Sequence, residues 1–270
     1  MLSDGSEDEN DDISKERRPA LTFGNLDFIR YFCVKDIDRT MLFVIEGLDG
    51  AGKSTQVNKL KEYLGSFDTP LEYIHFPRYD APIYGELISR FLKGDFGSNE
   101  SVHPQLVALL FAEDRHDAGT AMRSTLRKGG NVLLDRYVYS NIAYQCAKLK
   151  DSDEAEDLRE WIINTEFGSF ELPRPDLNIF LDVPLSFVKK KLEANRKGED
   201  RSYLQGAQDI HEASIAFQSR VRDMYLKQCG KDPGFIRIDC SDENGEMLPA
   251  NQIFEKIKAE VDKKLNTPSI

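Results

Sequence analysis

The sequence predicts an α/β fold in which a five-stranded parallel sheet is covered by helices on both faces. Short apolar runs alternate five times with longer segments whose apolar residues recur three and four positions apart, as expected for strands alternating with amphipathic helices. A glycine-rich turn follows the first apolar run, and polar residues follow the others. Because a parallel sheet brings its strand ends to one edge, we expect these polar residues to meet in one crevice.

The composition is typical of one domain preceded by an acidic tail. The chain has 270 residues and a formal net charge of −11, and seven acids lie within residues 1–18. We expect a disordered acidic tail at 1–20, an extension of unknown role at 21–40 and the domain at 41–270. The acidic balance argues against nucleic-acid binding, and no apolar run is long enough for a membrane span.

The four cysteines and four histidines show no spacing typical of metal or redox sites. We interpret the cysteines as reduced thiols of an intracellular protein. The acidic start does not resemble a mitochondrial targeting sequence, so the expected location is the cytoplasm, with the nucleus as an alternative.

The first strand leads into the most informative motif. The apolar run from Leu42 to Ile45 is followed by a turn of the form G-x-x-x-x-G-K-S and then by a helix. In this arrangement backbone N–H groups and the positive end of the helix surround a phosphate group. We expect Lys53 to reach the β- and γ-phosphates of a nucleotide and Ser54 to bind Mg²⁺. The residues expected to bind the nucleoside triphosphate are Gly47, Leu48, Asp49, Gly50, Ala51, Gly52, Lys53, Ser54 and Thr55.

The same periodicities predict the remaining elements. Further strands are expected at Leu71 to His75, Asn131 to Leu134, Leu177 to Leu181 and Phe235 to Ile238. A helix should begin at Pro82 with Ile83 on its buried face, and another should run from His103 to Lys128, where Gly119 could break it. Other helices are expected after the phosphate-binding turn, from Ser140 to Lys148, around Trp161, and near Val188, Val221 and Ile257.

Charged residues at the strand ends predict phosphoryl transfer. Asp135 follows the third strand, where an acid can support Mg²⁺ beside a phosphate-binding loop; the alternative is an aspartate that caps the next helix. Arg136 comes directly after it, and Arg78 and Arg115 could face the same site. Because arginine binds phosphate oxygens through two parallel hydrogen bonds, these arginines predict a second substrate that carries a phosphate.

The segment from Asn195 to Gly206 is rich in charge and glycine, and it predicts a mobile lid. Within it, Arg196 and Arg201 could supply positive charge to the transition state while the closing lid excludes water. A solvated basic loop is the alternative for each of them.

These motifs together resemble the thymidylate kinases, a family of P-loop nucleoside monophosphate kinases, from Met41 to about Leu265. The matching segments are EGLDGAGKST, FPRY, LLFAEDR, LLDRYVYSNIAY, LPRPDLNIFLDVP and IDCS. The resemblance implies a P-loop NTPase fold with a lid, and transfer of a phosphoryl group from ATP with Mg²⁺ to dTMP, which gives dTDP for dTTP biosynthesis. It also implies a homodimer.

The resemblance assigns roles to residues of the predicted crevice. Phe111 would stack on thymine, and Arg115 would bond a carbonyl of the base; a core position for Phe111 and an exposed one for Arg115 are the alternatives. The monophosphate would be bound by Arg136 and Arg78, beside Phe76 and Pro77. Of the remaining positions, Ser140 and Asn141 would contact the base edge, and Asp49 would lie near the 3′-hydroxyl and a metal-bound water. Tyr144 would crowd the 2′ carbon of the sugar, with a core position as its alternative.

Three further positions match the family's pattern more loosely. Asp209 and Glu212 resemble the acids that open the helix after the lid, and Ser241 resembles the turn beside adenine. Gly50 stands where one branch of the family carries an arginine, so the lid arginines should matter here. The expected catalytic residues are therefore Lys53, Asp49, Arg136, Arg196 and Arg201.

Two alternative functions stay open from the sequence. The chain could phosphorylate another pyrimidine monophosphate, dUMP or CMP, since the methyl group of thymine is worth only about 1 kcal/mol in discrimination. It could also be a nucleotide-binding switch or a non-catalytic scaffold. The sequence has no guanine-reading Asn-Lys-x-Asp segment, and the presence of Lys53, Ser54, Asp135 and Arg136 argues against a scaffold.

Overall fold

The computed structural model describes residues 40–194, 209–211 and 214–267. Several predictions concern positions outside these residues: the acidic tail at 1–20, nearly all of the extension at 21–40, the whole lid at 195–206 with Arg196 and Arg201, and Glu212.

Five strands form one parallel sheet, as predicted. They are β1 (Leu42–Gly47), β2 (Leu71–His75), β3 (Asn131–Asp135), β4 (Leu177–Asp182) and β5 (Phe235–Asp239), in the spatial order β2-β3-β1-β4-β5. All pairings are parallel. Strands β1, β3 and β4 are buried along their whole length, because parallel sheets are covered on both faces.

Eight α-helices lie among the described residues and pack around the sheet. They are α1 (Lys53–Leu64), α2 (Tyr84–Lys93), α3 (Pro104–Arg127), α4 (Val138–Cys146), α5 (Ser152–Ile163), α6 (Leu185–Ala194), α7 (Ile215–Lys231) and α8 (Ala250–Leu265). A short π-helical segment, Asn164–Ser169, continues α5. Helices α1 and α8 contact each other, whereas α4 packs among α3, α5 and α7. In the part of the chain that the structure describes, no helix has both the length and the apolar character needed to cross a membrane.

Two helices differ from the sequence prediction. Helix α3 runs unbroken for 24 residues, and a Cβ added at Gly119 would lie 3.1 Å from Leu172 Cδ2. This glycine therefore permits close packing and does not break the helix. Helix α2 begins at Tyr84 and not at Pro82, and Ile83 is 68% exposed. The predicted buried position of Ile83 is wrong, because its backbone turns into the left-handed region (φ 68°) before the helix starts.

The register of the sheet brings three strand ends side by side. Asp135 pairs with Ile45 on one side and with His75 on the other, and the turn after Gly47 lies at the same edge. The strand order reverses direction at β1, since the chain continues from β1 to β2 on one side and later to β4 on the other. Ligands bind at such a point in open α/β sheets.

Candidate active site

The loop between β1 and α1 surrounds an open cleft. Gly50 and Gly52 have φ angles of 74° and 77°, in the left-handed region that glycine adopts without steric cost. Nothing lies within 4 Å of a Cβ built at Gly52, so the loop is open there. The cleft has a volume of about 560 Å³, and Lys53 and Ser54 line it together with Thr55 and residues 49–52.

Lys53 is the cleft cation that stands at the start of α1, and Arg136 and Lys191 line the same cleft. The Lys53 side chain is nearly buried, and Nζ donates a hydrogen bond to the carbonyl of Leu48 at 2.9 Å. Burial, followed by the charge of Arg136, lowers the pKa of Lys53 to about 8, although Asp135 and Asp49 act in the opposite direction. A phosphate group would favour the charged form of this amine.

Asp135 is a buried carboxylate whose two oxygens differ. Oδ2 lies 3.2 Å from Nδ1 of His75, whereas Oδ1 has no hydrogen-bond partner. Burial raises the pKa of Asp135, but the hydrogen bond from His75 and the charge of Lys53 outweigh it and lower the pKa overall. An unpartnered carboxylate oxygen in a cleft shared with Ser54 fits a site for Mg²⁺, which prefers oxygen ligands and retains waters.

Glu46, and not Asp135, caps the next helix. Its Oε1 accepts hydrogen bonds from the backbone N–H groups of Tyr137 (2.9 Å) and Ser140 (3.1 Å) at the start of α4. The hydroxyl groups of Ser140 and Tyr225 also bond this carboxylate. The helix-cap alternative for Asp135 is therefore wrong. Glu46 was not predicted as a cap from the sequence, although an acid inside an otherwise apolar strand is a detectable signal.

Arg136 connects both sides of the crevice. Its backbone has a φ of 70°, which is uncommon outside glycine. Its guanidinium donates to Asp49 through Nη2 at 2.5 Å, and through Nη1 to the hydroxyls of Ser140 at 3.1 Å and Tyr225 at 3.4 Å. It also lies over the Tyr144 ring. The guanidinium is thus held in place by four side chains that come from three separate segments.

Asp49 is the anion opposite Arg136. It accepts hydrogen bonds from the Tyr144 hydroxyl at 2.7 Å and from Gln218 Nε2 at 3.2 Å. Burial raises the pKa of Asp49, but the charges of Arg136 and Lys53 outweigh it and lower the pKa to about 2. The carboxylate is therefore ionised at neutral pH.

An aromatic pocket lies on the other side of Arg136. The structure brings most of the predicted substrate residues together on its wall: Phe76, Pro77, Phe111, Arg115, Arg136, Ser140, Asn141, Tyr144 and Asp209. The pocket is also lined by three residues that were not predicted from the sequence, Tyr79, Gln145 and His211. The His211 ring stacks on Phe111 with ring centroids 6.4 Å apart.

Arg115 is buried and not exposed. It forms a two-point ion pair with Glu166 of the π-helical segment, and Asn141 Nδ2 bonds the same carboxylate at 2.9 Å. This excludes the exposed-helix alternative for Arg115. Nothing in the sequence near Glu166 indicates this contact, since the two residues lie far apart in the chain.

Arg78 does not line either cavity. Its Nε donates to Asp114 at 2.9 Å, and its Nη2 donates to Asp117 at 2.6 Å. Contrary to expectation, this guanidinium is held by two acids of α3 and is not on the wall of either cavity. Tyr79, the next residue, lines both cavities instead.

Ser241 also lies outside the cleft and the pocket. It follows β5, and its backbone N–H donates to Asp239 Oδ1 at 3.0 Å. Its expected contact with adenine therefore rests on the family resemblance alone.

The phosphate-loop cleft and the aromatic pocket meet. Both are lined by Asp49, Pro77, Tyr79 and Arg136. A phosphate group in the cleft and a second ligand in the pocket would therefore approach each other at Arg136, which is the arrangement that transfer between two nucleotides requires.

Comparison with known proteins decides the family. The family model described as thymidylate kinase matches residues 45–249, which include the loop, the cleft and the pocket. The chain belongs to the thymidylate kinase family. It is therefore a kinase, an enzyme of the transferase class.

Relatives and solved structures agree with this thymidylate kinase assignment. A thymidylate kinase of Mycobacterium tuberculosis is 32% identical over 187 residues, which cover 69% of this chain and 85% of the relative. One from Plasmodium falciparum is 34% identical over 207 residues, covering 76% and 85%. The structure of a thymidylate kinase from Candida albicans matches with a TM-score of 0.61 and 28% identity, covering 86% of this chain and 96% of the other.

Proposed function

We propose that this chain transfers the γ-phosphoryl group of ATP to dTMP and so produces dTDP for dTTP synthesis. One observation carries the proposal within the family: the phosphate-loop cleft and the aromatic pocket share Asp49, Pro77, Tyr79 and Arg136. Two nucleotides bound in these cavities would meet with their phosphates at one arginine. A single-nucleotide switch or a scaffold has no use for the second cavity.

On the donor side, we propose that the loop binds the ATP phosphates and that Lys53 pairs with the β- and γ-phosphates. Ser54 and Asp135 would hold Mg²⁺, as the unpartnered Asp135 Oδ1 supports. When bound, Mg²⁺ would neutralise part of the charge of the phosphates. The full set assigned to ATP is Gly47, Leu48, Asp49, Gly50, Ala51, Gly52, Lys53, Ser54, Thr55 and Ser241.

On the acceptor side, we propose that thymine stacks on Phe111, with Arg115 and Asn141 reading its polar edge. The ion pair to Glu166 supports this role, because it fixes the orientation of Arg115 before a ligand arrives. Tyr144 would exclude a ribose 2′-hydroxyl by its bulk. The remaining assigned residues are Phe76, Pro77, Ser140, Asp209 and Glu212, while Arg78 would act indirectly by holding the loop.

In the reaction, an oxygen of the dTMP phosphate attacks the γ-phosphorus of ATP as the bond to the β-phosphate oxygen breaks. We propose that Arg136 orients the attacking phosphate, while Lys53 stabilises the negative charge of the transferred phosphoryl group. Asp49 would keep Arg136 in place and face the sugar 3′-hydroxyl. Arg196 and Arg201, which lie outside the described residues, would supply charge from the lid.

We further propose that residues 41–270 carry the activity, that the enzyme is a homodimer and that it works in the cytoplasm or the nucleus, without nucleic-acid or membrane partners. The unpaired thiols of Cys146, Cys229 and Cys240 support a reducing compartment. Deletion of residues 1–20 should leave kcat unchanged, and sedimentation of the purified chain would test the dimer.

The function is tested by steady-state transfer from ATP with Mg²⁺, offering dTMP, dUMP, dCMP, CMP and UMP side by side. We expect the highest kcat/KM with dTMP and almost no use of the ribonucleotides. Preference for another pyrimidine would overturn the substrate but keep the reaction class. No transfer to any of them would reject the proposal.

A further inference from the structure

His75 and Asp135 are the last residues of two neighbouring strands. They lie opposite each other in the parallel register of β2 and β3. Because directly paired residues point to the same face of a sheet, both side chains extend to one side of the strand ends. Nδ1 of His75 lies 3.2 Å from Oδ2 of Asp135.

This contact leaves the two carboxylate oxygens of Asp135 in different situations. Oδ2 is engaged by His75, whereas Oδ1 is buried without a hydrogen-bond partner. Both residues line the cleft that also contains Lys53 and Ser54. A carboxylate held through one oxygen keeps the other in a fixed direction for one more ligand.

The imidazole ring of His75 is supported on a second side by Tyr79, with ring centroids 6.4 Å apart. The His75 side chain is nevertheless 41% exposed, and it stands on β2, an edge strand of the sheet. Removing the ring would therefore not open a cavity in the core. A substitution at this position tests the contact with Asp135 more directly than it tests folding.

We propose that His75 is a positioning residue that orients Asp135 toward Mg²⁺ bound with ATP. The inference rests on the proposed function, since it concerns the metal of the phosphoryl donor. Partners of this kind, which bond a metal-supporting carboxylate from outside, contribute about 10- to 100-fold to metal affinity in other proteins. His75 thus acts through Asp135 and does not touch the reacting atoms.

The experiment measures how strongly Mg²⁺ tightens binding of a non-hydrolysable ATP analogue, by calorimetry with Mg²⁺ and with EDTA. The wild type is compared with His75→Ala and with His75→Asn, whose amide N–H can replace the Nδ1–H donor. The matched control is His116→Ala, another half-exposed histidine near a carboxylate, on α3. Thermal unfolding verifies that each variant is folded.

Mg²⁺ strengthens binding of the analogue by some factor, and we expect His75→Ala to reduce that factor about 10-fold. The affinity for the analogue without metal should change less than about 2-fold. His75→Asn should restore most of the effect, and His116→Ala should behave as the wild type. Equal weakening with and without Mg²⁺, or an unchanged Mg²⁺ effect, would overturn the proposal. A wild type that shows the Mg²⁺ effect but does not phosphorylate dTMP would reject the proposed function alone.

Discussion

Arg115 and Glu166 form a buried ion pair behind the aromatic pocket, with Arg115 Nε 2.5 Å from Oε2 and Nη2 2.7 Å from Oε1. Arg115 is 2% exposed and Glu166 is fully buried. Asn141 bonds the same carboxylate, so one acid orients two residues of the pocket wall. Two parallel hydrogen bonds fix the plane of the guanidinium as well as its position.

Replacement of Glu166 by alanine should destabilise the fold by about 3–5 kcal/mol, because it leaves the Arg115 charge buried without a partner. Urea unfolding measures this loss. The double variant Arg115→Met/Glu166→Leu should recover much of the stability but keep a raised KM for dTMP. As a control, Glu160→Ala breaks an exposed pair with Arg159 and should cost no more than about 1 kcal/mol. Equal costs at both sites would contradict the prediction.

Lys53→Ala should lower kcat by at least about 100-fold, because it removes the cation that stabilises the negative charge of the transferred phosphoryl group. The unfolding midpoint should not fall, because the substitution removes the buried amine itself and so leaves no buried charge without a partner. Steady-state kinetics and thermal unfolding check the two parts. Lys59→Ala, on the same helix but away from the cleft, is the control. Turnover at a tenth of the wild-type rate would refute the assigned role of the loop.

Lys148 predicts a pH dependence of stability. Its Nζ is buried without a hydrogen-bond partner and lies 4.9 Å from the centroid of the Phe91 ring. Burial lowers its pKa to about 7 from 10.5. Between these two values the unfolded chain holds a proton that the folded chain lacks, so the contribution of Lys148 to stability rises with pH across this window.

The variant Lys148→Met removes this contribution. We expect its stability relative to the wild type to be highest near pH 7 and to decline toward pH 10, because the penalty that it relieves disappears at high pH. Urea unfolding at both pH values measures the difference. The same substitution at exposed Lys150 should give a difference that does not depend on pH, and such a result at Lys148 would disprove the prediction.

Gly85 permits the loop of Pro77 and Tyr79 to pack on α2. A Cβ at this position would lie 2.5 Å from the carbonyl oxygen of Tyr79 and 2.6 Å from that of Arg78. Gly85→Ala should therefore cost about 1–3 kcal/mol and raise the KM for dTMP, as measured by unfolding and kinetics. Gly168→Ala, where nothing lies within 4 Å of the added Cβ, should change neither. An unaltered KM in Gly85→Ala would show that this packing does not affect the site for dTMP.

The sequence predicted the fold and the phosphate-binding loop because both are encoded locally. Apolar runs of strand length, helical periodicity and the spacing from Gly47 to Ser54 each depend on neighbours in the chain. Ile83 was predicted wrongly for the same reason. Its apolar side chain matches the period of α2, but its backbone is not helical, with a φ of 68°, and α2 begins only at the next residue.

The partners of the charged residues were decided by the tertiary structure alone. Residue type predicted that Arg115, Arg78 and Asp135 lie near a crevice. Their partners Glu166, Asp114 and His75 come from other elements. Strand register and helix packing determine which of these partners come into contact with them. A buried group stays charged where the fold supplies a counter-charge, whereas burial without one, as at Lys148, favours the neutral form. Local sequence therefore determined which chemistry this chain carries. Long-range packing decided that Arg115 lines the pocket and that Arg78 is held by acids of α3.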